Sequence, residues 1–181
     1  MDDALIISKF ADERTREEAF GHLLEKYQQK LYWHVRRMVI NHDDADDVIQ
    51  DVFIKVWRNL DKFRKDSQLY TWLYRIATNE CITFLNKKKQ KQNLSLDDDS
   101  SAYLAESLSD SSYFNGDQAQ MKLQQAILTL PEKQRLVFNM KYFEDLKYDE
   151  ISEIVGTSVG ALKASYHLAV KKIEQFLTTN D

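Results

Sequence analysis

The chain has little of what interrupts a helix. Its 181 residues include 4 Gly and 1 Pro, too few turn-formers for a many-turned β architecture, and the long stretches without breakers favour helices. An all-α fold is expected. A single cysteine, Cys81, excludes an internal disulfide. No apolar stretch approaches the roughly 18 unbroken residues of a membrane helix. The acidic start MDDALIISKF, with its short apolar run, is unlike a signal peptide, so a cytoplasmic protein is expected. Catalytic signatures are missing as well. The 4 histidines, His22, His34, His42 and His167, are dispersed, and no Ser/His/Asp, Cys/His or Gly-rich phosphate-loop pattern occurs. No catalytic role, no cofactor and no small-molecule substrate is expected.

The net charge of -4 argues at first against a nucleic-acid partner, which usually pulls composition toward Lys and Arg. Its distribution points the other way. Residues 1–91 carry 17 Lys+Arg and 15 Asp+Glu, residues 92–120 carry none and 6, and residues 121–181 carry 8 of each. All of the negative excess sits in the Ser/Asp-rich segment QNLSLDDDSSAYLAESLSDSSYFNGDQAQ, which has no sustained helical period. It reads as a flexible acidic linker, 92–120, between two helical domains, 1–91 and 121–181. Asp97, Asp98 and Asp99 are either a solvated tether or an insert for a basic channel on a partner.

In the first domain, Phe20, Leu23, Leu24, Tyr27, Leu31 and Val35 recur at three and four from Arg16 onward, giving an amphipathic helix ending near Asn41. A second helix follows in DADDVIQDVFIKVW, Asp44 to Trp57, with a buried stripe of Ala45, Val48, Ile49, Val52, Phe53 and Val56. Its opposite face carries Asp44, Asp47, Gln50 and Asp51 side by side. On composition alone that face is a solvated acidic surface. The run His42 to Asp47 has metal-ligand residue types but neither the glycine nor the distal glutamate of a calcium loop, so no metal is expected.

The third helix, QLYTWLYRIATNECITFLNKKKQK, Gln68 to Lys91, is aromatic-rich and runs into a lysine cluster. Trp72, Leu73, Ile76, Ala77, Phe84 and Leu85 line the core, whereas Gln68, Thr71, Arg75, Asn79 and Asn86 fall on one polar face. Arg and Asn read base edges through paired hydrogen bonds, Tyr70 and Tyr74 offer stacking surfaces, and Lys87, Lys88, Lys89 and Lys91 hold phosphates. The competing assignments are core packing for the aromatics and dipole complementation for the lysines. The polar loop Phe63-Arg64-Lys65-Asp66-Ser67 before this helix is short enough to cradle an unstacked base.

The second domain contains FEDLKYDEISEIVGTSVGALKAS, two short helices broken at one glycine. Ile151, Ile154 and Val155 face inward on the first, Gly156 turns the chain, and Val159, Leu162 and Tyr166 face inward on the second. This is a helix-turn-helix pattern. The second helix shows solvent Gly160, Lys163, Ala164, His167 and Lys171, small at its start and cationic further along, as a recognition helix requires.

Four blocks in this order, DADDVIQDVFIKVW, TWLYRIATNECITFL with its trailing lysines, LPEKQRLVFNMKYFEDLKYDEISEIVG, and SVGALK continuing to AVKKI, closely resemble the extracytoplasmic-function class of bacterial sigma factors, the smallest two-domain promoter-recognition subunits of RNA polymerase. The resemblance implies that Asp47, Gln50 and Asp51 contact the largest-subunit clamp of core polymerase. It implies that Phe63, Arg64, Lys65 and Ser67, with Arg75, Asn79, Lys87 and Lys88, hold the melted -10 element and trap a flipped base. The linker would thread the polymerase's RNA path. Ser158, Gly160, Lys163, Ser165, His167 and Lys171 would meet the -35 element as duplex. A membrane-bound anti-sigma factor, which restrains many members of the class, is a further implied partner.

The recognition helix departs from the family's usual SVGTVKSR. Ala161, Ala164 and Ser165 stand in place of Thr, Ser and Arg, and Leu168 in place of a later arginine. Two guanidiniums are lost, each worth roughly 1–3 kcal/mol where it makes a good base contact. From the residues alone, a conventional helix-turn-helix regulator acting without polymerase and a protein-interaction adaptor built on the acidic helix both stay open.

Overall fold

A computed structural model describes residues 1–93, 101–109 and 117–179. Among these, the regular structure is helical throughout: α1 (Asp3–Phe10), α2 (Arg16–Val39), α3 (His42–Asn59), a 3-10 turn (Leu60–Lys62), α4 (Leu69–Lys91), α5 (Ser101–Ser109), α6 (Gln118–Leu128), α7 (Glu132–Tyr142), α8 (Tyr148–Val155) and α9 (Val159–Thr179).

The first four helices make one bundle around α2, which packs on α1, α3 and α4. Their apolar stripes meet as the three-and-four spacing dictates, burying Leu23, Leu31, Val35, Val52, Val56, Leu73 and Ala77 completely. Each large aliphatic side chain so buried contributes about 1.5–3 kcal/mol. Local signals set the helix ends. Asn41 caps α3, its side chain accepting from Asp44 N at 3.0 Å, and Asp43 and Asp44 lie in the first turn where the dipole favours anions. Helix α1 was not signalled by the short apolar run of the N-terminus. Asp2 caps it through Leu5 N at 2.8 Å, and it buries Ile6 and Phe10 in the same core. There Phe10 and Phe20 meet the Trp57 ring edge-on at 5.3 and 5.1 Å.

At the α2–α3 corner Ile40 has φ 66°. A β-branched residue in the left-handed region is strained by about 1–3 kcal/mol. Two groups hold it there: its side chain is 1% exposed in the core, and the Arg36 guanidinium donates to its carbonyl oxygen.

The C-terminal helices have a small core of their own, where Ala126, Ile127, Leu130 and Phe138 close against Ala169 and Ile173 of α9. Gly156 ends α8 at φ 72°, and a Cβ there would meet nothing within 4 Å, so the backbone conformation rather than crowding calls for glycine. Ser158 then opens α9, its hydroxyl accepting from Ala161 N at 3.3 Å.

The two helical units are packed together. Helix α8 lies on α4 and α7 on α2, and Val137, Met140, Leu146, Ile151, Ile154 and Leu162 are continuous with the N-terminal core. Within the segment read as linker, residues 101–109 form α5. Leu104 and Leu108 are buried, and the Tyr103 hydroxyl donates to Asp44. Two leucines four apart suffice to seat so short a helix but give no sustained period. Asp97, Asp98 and Asp99 lie outside the described residues.

Candidate polymerase and nucleic-acid interfaces

Three surfaces carry the residues singled out from sequence. On α3, Asp47, Gln50 and Asp51 are exposed along one face. Asp44, expected beside them, is partly withdrawn, because Tyr103 donates to it and Lys88 Nζ lies 4.0 Å away. Gln50 borders a shallow groove between α2 and α3 lined by Phe20, Leu24, Ile49, Phe53, Ile54 and Trp57, with Ile54 48% and Trp57 38% exposed. The reading from sequence found the acids and missed this apolar strip. The signal was present in Ile54, which stands outside the buried stripe of an amphipathic helix, whereas Trp57 borders the strip with the part of its ring that Phe10 and Phe20 leave uncovered.

The same helix start brings one ligand-type atom each of His42, Asp43 and Asp46 within 4.8 Å. These residues are solvated, and His42 is engaged by the Tyr32 hydroxyl at 2.7 Å and by Asp46 at 3.4 Å, so the cluster is accounted for as a helix-start network.

On α4 and its preceding loop, Arg64 and Lys65 are exposed and Ser67 is half-buried, with Lys65 at φ 57° turning the loop. Phe63 is held against Trp72, ring centroids 5.3 Å apart. Arg75 is half-buried and donates from Nε to the Glu153 carbonyl at 3.1 Å. Asn79 lies at the edge of a cleft whose far wall is Ile154, Val155, Thr157 and Ser165. Three expectations for this face are corrected. Thr71 is 1% exposed, Tyr74 is 4% exposed and Lys89 is 2% exposed. Tyr74 donates to Glu144 at 2.9 Å, and Lys89 pairs with Glu132 at 2.8 Å. The C-terminal unit covers this side of α4, so positions that a lone amphipathic helix would show to water are interior. Lys87 and Lys91 stay exposed, and Lys88 is half-buried over the Phe84 and Tyr103 rings.

Burial governs the protonation of this seam. It pushes the Tyr70 hydroxyl up to about 12, helped by its hydrogen bond to Glu150. It raises Tyr74 further, beside Glu144. Burial also raises the Glu144 carboxyl against the opposing pull of Tyr74 and Arg37. Both phenols are therefore neutral donors at neutral pH. Cys81 is buried and its thiol raised by desolvation, which leaves it protonated and a poor nucleophile.

On α9, Ser158, Gly160, Lys163, His167 and Lys171 are exposed, and Ser165 is half-buried in the cleft that Asn79 borders. A Cβ on Gly160 would meet nothing within 4 Å. Packing does not require that glycine, which leaves bare backbone at the outer start of the helix.

The exposed acids and apolar strip of α3 and the exposed cations of α9 lie on two helical units, and both units match known families. Residues 23–91 match Sigma-70 region 2 and residues 120–173 match Sigma-70, region 4, which defines a two-part protein of the sigma-70 type. Similar curated proteins include the ECF RNA polymerase sigma factor SigW of Bacillus subtilis, 34% identical and covering 83% of this chain and 84% of its own length. The RNA polymerase sigma-H factor of Pseudomonas aeruginosa is 32% identical over 91% of this chain and 89% of its own. The ECF RNA polymerase sigma-E factor of Escherichia coli is 32% identical over 87% and 86%. The chain belongs to the extracytoplasmic-function (ECF) RNA polymerase sigma factors. Its fold is shared with CnrH, solved in complex with the cytosolic domain of CnrY, at a TM-score of 0.70 with 22% identity over 99% of both chains. It is shared also with RpoE of Bartonella quintana, solved in complex with the anti-sigma factor NepR, at a TM-score of 0.69 with 20% identity over 90% of this chain and 98% of that one.

Proposed function

We propose that this sigma factor docks on the clamp of bacterial core RNA polymerase through Asp47, Gln50 and Asp51, with the apolar strip of Ile54 and Trp57 extending the contact. The observation that carries this reading is the pairing of unburied acids with an exposed apolar groove on α3. A partner helix is held there by burial of its apolar side chains and set in register by charge. The loop from Phe63 with Arg75, Asn79, Lys87 and Lys88 holds the -10 strand, and α9 meets the -35 duplex through Ser158, Gly160, Lys163, Ser165, His167 and Lys171. On this assignment residues 1–91 and 121–181 are the working domains and 92–120 their connection. Binding energy alone performs the task, without catalysis and in the cytoplasm: capture of an extruded base offsets a few kcal/mol of unstacking. An anti-sigma factor, the kind of partner that NepR is to RpoE of Bartonella quintana, is a fitting restraint.

The test is co-elution with purified core polymerase on size exclusion. Stable association, weakened when Asp47→Ala, Gln50→Ala and Asp51→Ala are combined, is expected. Absence of association, with duplex binding intact, would overturn the reading in favour of a polymerase-independent regulator.

A further inference from the structure

The surfaces assigned to polymerase and promoter DNA leave one hollow of the molecule unused. Where α2, α4 and α7 come together, Met38, Ile82, Leu85 and Leu136 border an apolar space of about 240 Å³, partly open to solvent. Protein interiors pack at the density of organic crystals and keep few voids larger than a water molecule. A single larger apolar side chain in place of Leu136 would close the space, and cavity-filling changes of that kind commonly raise stability. Packing alone gives no reason for the hollow.

Asn139 borders the same space. Its side chain is 3% exposed, and its Oδ1 has no hydrogen-bond partner among the described residues. A buried acceptor left unpaired costs the desolvation of that group, whereas an apolar residue of similar shape carries no such cost. The terminal torsion of asparagine is soft, so the carboxamide turns readily toward a group that enters. The charged residues at the border are engaged or point to water: Lys89 holds Glu132 at 2.8 Å, Arg135 donates to the Leu130 carbonyl at 3.4 Å, and Lys133 is exposed. What the walls lack is a neutral donor with an apolar body behind it.

We infer that this hollow is a binding site for a small neutral molecule, an apolar body the size of two fused rings carrying one N–H or O–H donor for Asn139. An apolar cavity of about 150 Å³ holds a single benzene ring, and this one is larger. Met38, Ile82 and Leu85 come from the N-terminal unit and Leu136 and Asn139 from the C-terminal unit, so the bound molecule touches both. The site lies apart from the outer faces of α3 and α9 and does not rest on the roles assigned to them.

The experiment titrates the full chain calorimetrically with indole and with benzothiophene, which has the same two-ring shape but no N–H. Indole is expected to saturate at one molecule per chain. Its affinity relative to benzothiophene should fall about three- to tenfold in Asn139→Leu, the loss of one neutral hydrogen bond. Methyl-labelled NMR of the native chain places the probe: the Ile82, Leu85 and Leu136 methyl signals should move with indole, and that of Ile54 on α3 should not. Leu136→Trp, which fills the hollow, should abolish indole binding while thermal stability holds or rises. Should either variant fail to fold, the native-chain titration and methyl shifts still decide. No saturable binding of either probe, methyl shifts confined to other helices, or an indole-to-benzothiophene ratio unchanged in Asn139→Leu would each overturn the site and leave the sigma assignment standing.

Discussion

Helices α3 and α4 carry similar signals in sequence, each an apolar stripe backed by a polar face, yet their polar faces end in opposite environments. On α3, Asp47, Gln50 and Asp51 meet water. On α4, Thr71 and Tyr74 are interior and Arg75 is held by α8. The difference lies in the partner: α8 supplies Ile151 and Ile154 as apolar cover and Glu150 as an acceptor, and nothing described covers the polar face of α3 outside Asp44. A polar helix face is therefore a statement about available hydrogen bonds, which either solvent or a second unit of the chain can fill.

That contrast gives its largest effect in stability. Leu73→Ala on α4, fully buried, is expected to cost about 2–5 kcal/mol in urea unfolding. Ile54→Ala on α3 should change stability by less than about 0.5 kcal/mol while weakening core-polymerase association. Equal stability losses at both sites would dissolve the distinction.

Acid should act beneath the covered face before the open one. His34 is buried under α4 and bonded to Thr78 at 2.9 Å, and burial, with Arg37 nearby, lowers its pKa to about 3. The folded chain keeps the neutral ring while the unfolded chain takes up a proton below about 6.5. His34's contribution is full above that pH and is lost as pH falls toward 3, by about 1.4 kcal/mol per pH unit. Urea titrations at pH 7, 6 and 5 should show this slope in the native chain and a shallower one in His34→Gln.

Next in size is Gly156→Ala, which forces a side chain into φ 72° and should cost about 1 kcal/mol. Gly160→Ala, with open space for its Cβ and a helical backbone, should hold or raise thermal stability while weakening duplex binding in the holoenzyme. The smallest effect belongs to the open face: Asp47→Ala, Gln50→Ala and Asp51→Ala combined should leave unfolding within about 0.5 kcal/mol and show only in polymerase binding.

Much of the fold was legible because it is written in three-and-four periods. The stripe of α3 contains every residue buried on that helix, and Ile151 and Ile154 before Gly156 are the two buried on α8, whereas the stripes of α2 and α4 hold fewer than half of the residues buried there. Helices α1 and α5 were missed since eight or nine residues with two buried anchors carry too little period to notice. Asp47, Gln50 and Asp51 on α3 and the outer face of α9 are exposed where sequence put them, as both depend only on helical geometry. The cover over α4 was illegible. Glu150 reads in sequence as an ordinary first-turn acid, and it does accept from Lys147 N at 3.0 Å. Nothing local says that its carboxylate also meets Tyr70. Tyr74 showed the same ambiguity from the other side, an aromatic at helical spacing whose stacking or packing role depended on a partner 70 residues away.

The strained Ile40 corner has a mechanical consequence. A bend made of glycine would act as a hinge, absorbing any force applied to the helix beyond it. Ile40, wedged by its own side chain and clamped by Arg36, makes the α2–α3 elbow a rigid crank. Arg37, next along α2 from Arg36, carries the ion pair to Glu144. A load taken up at the outer face of α3 is thereby delivered along the shaft of α2 to one of the contacts between the two halves of the molecule.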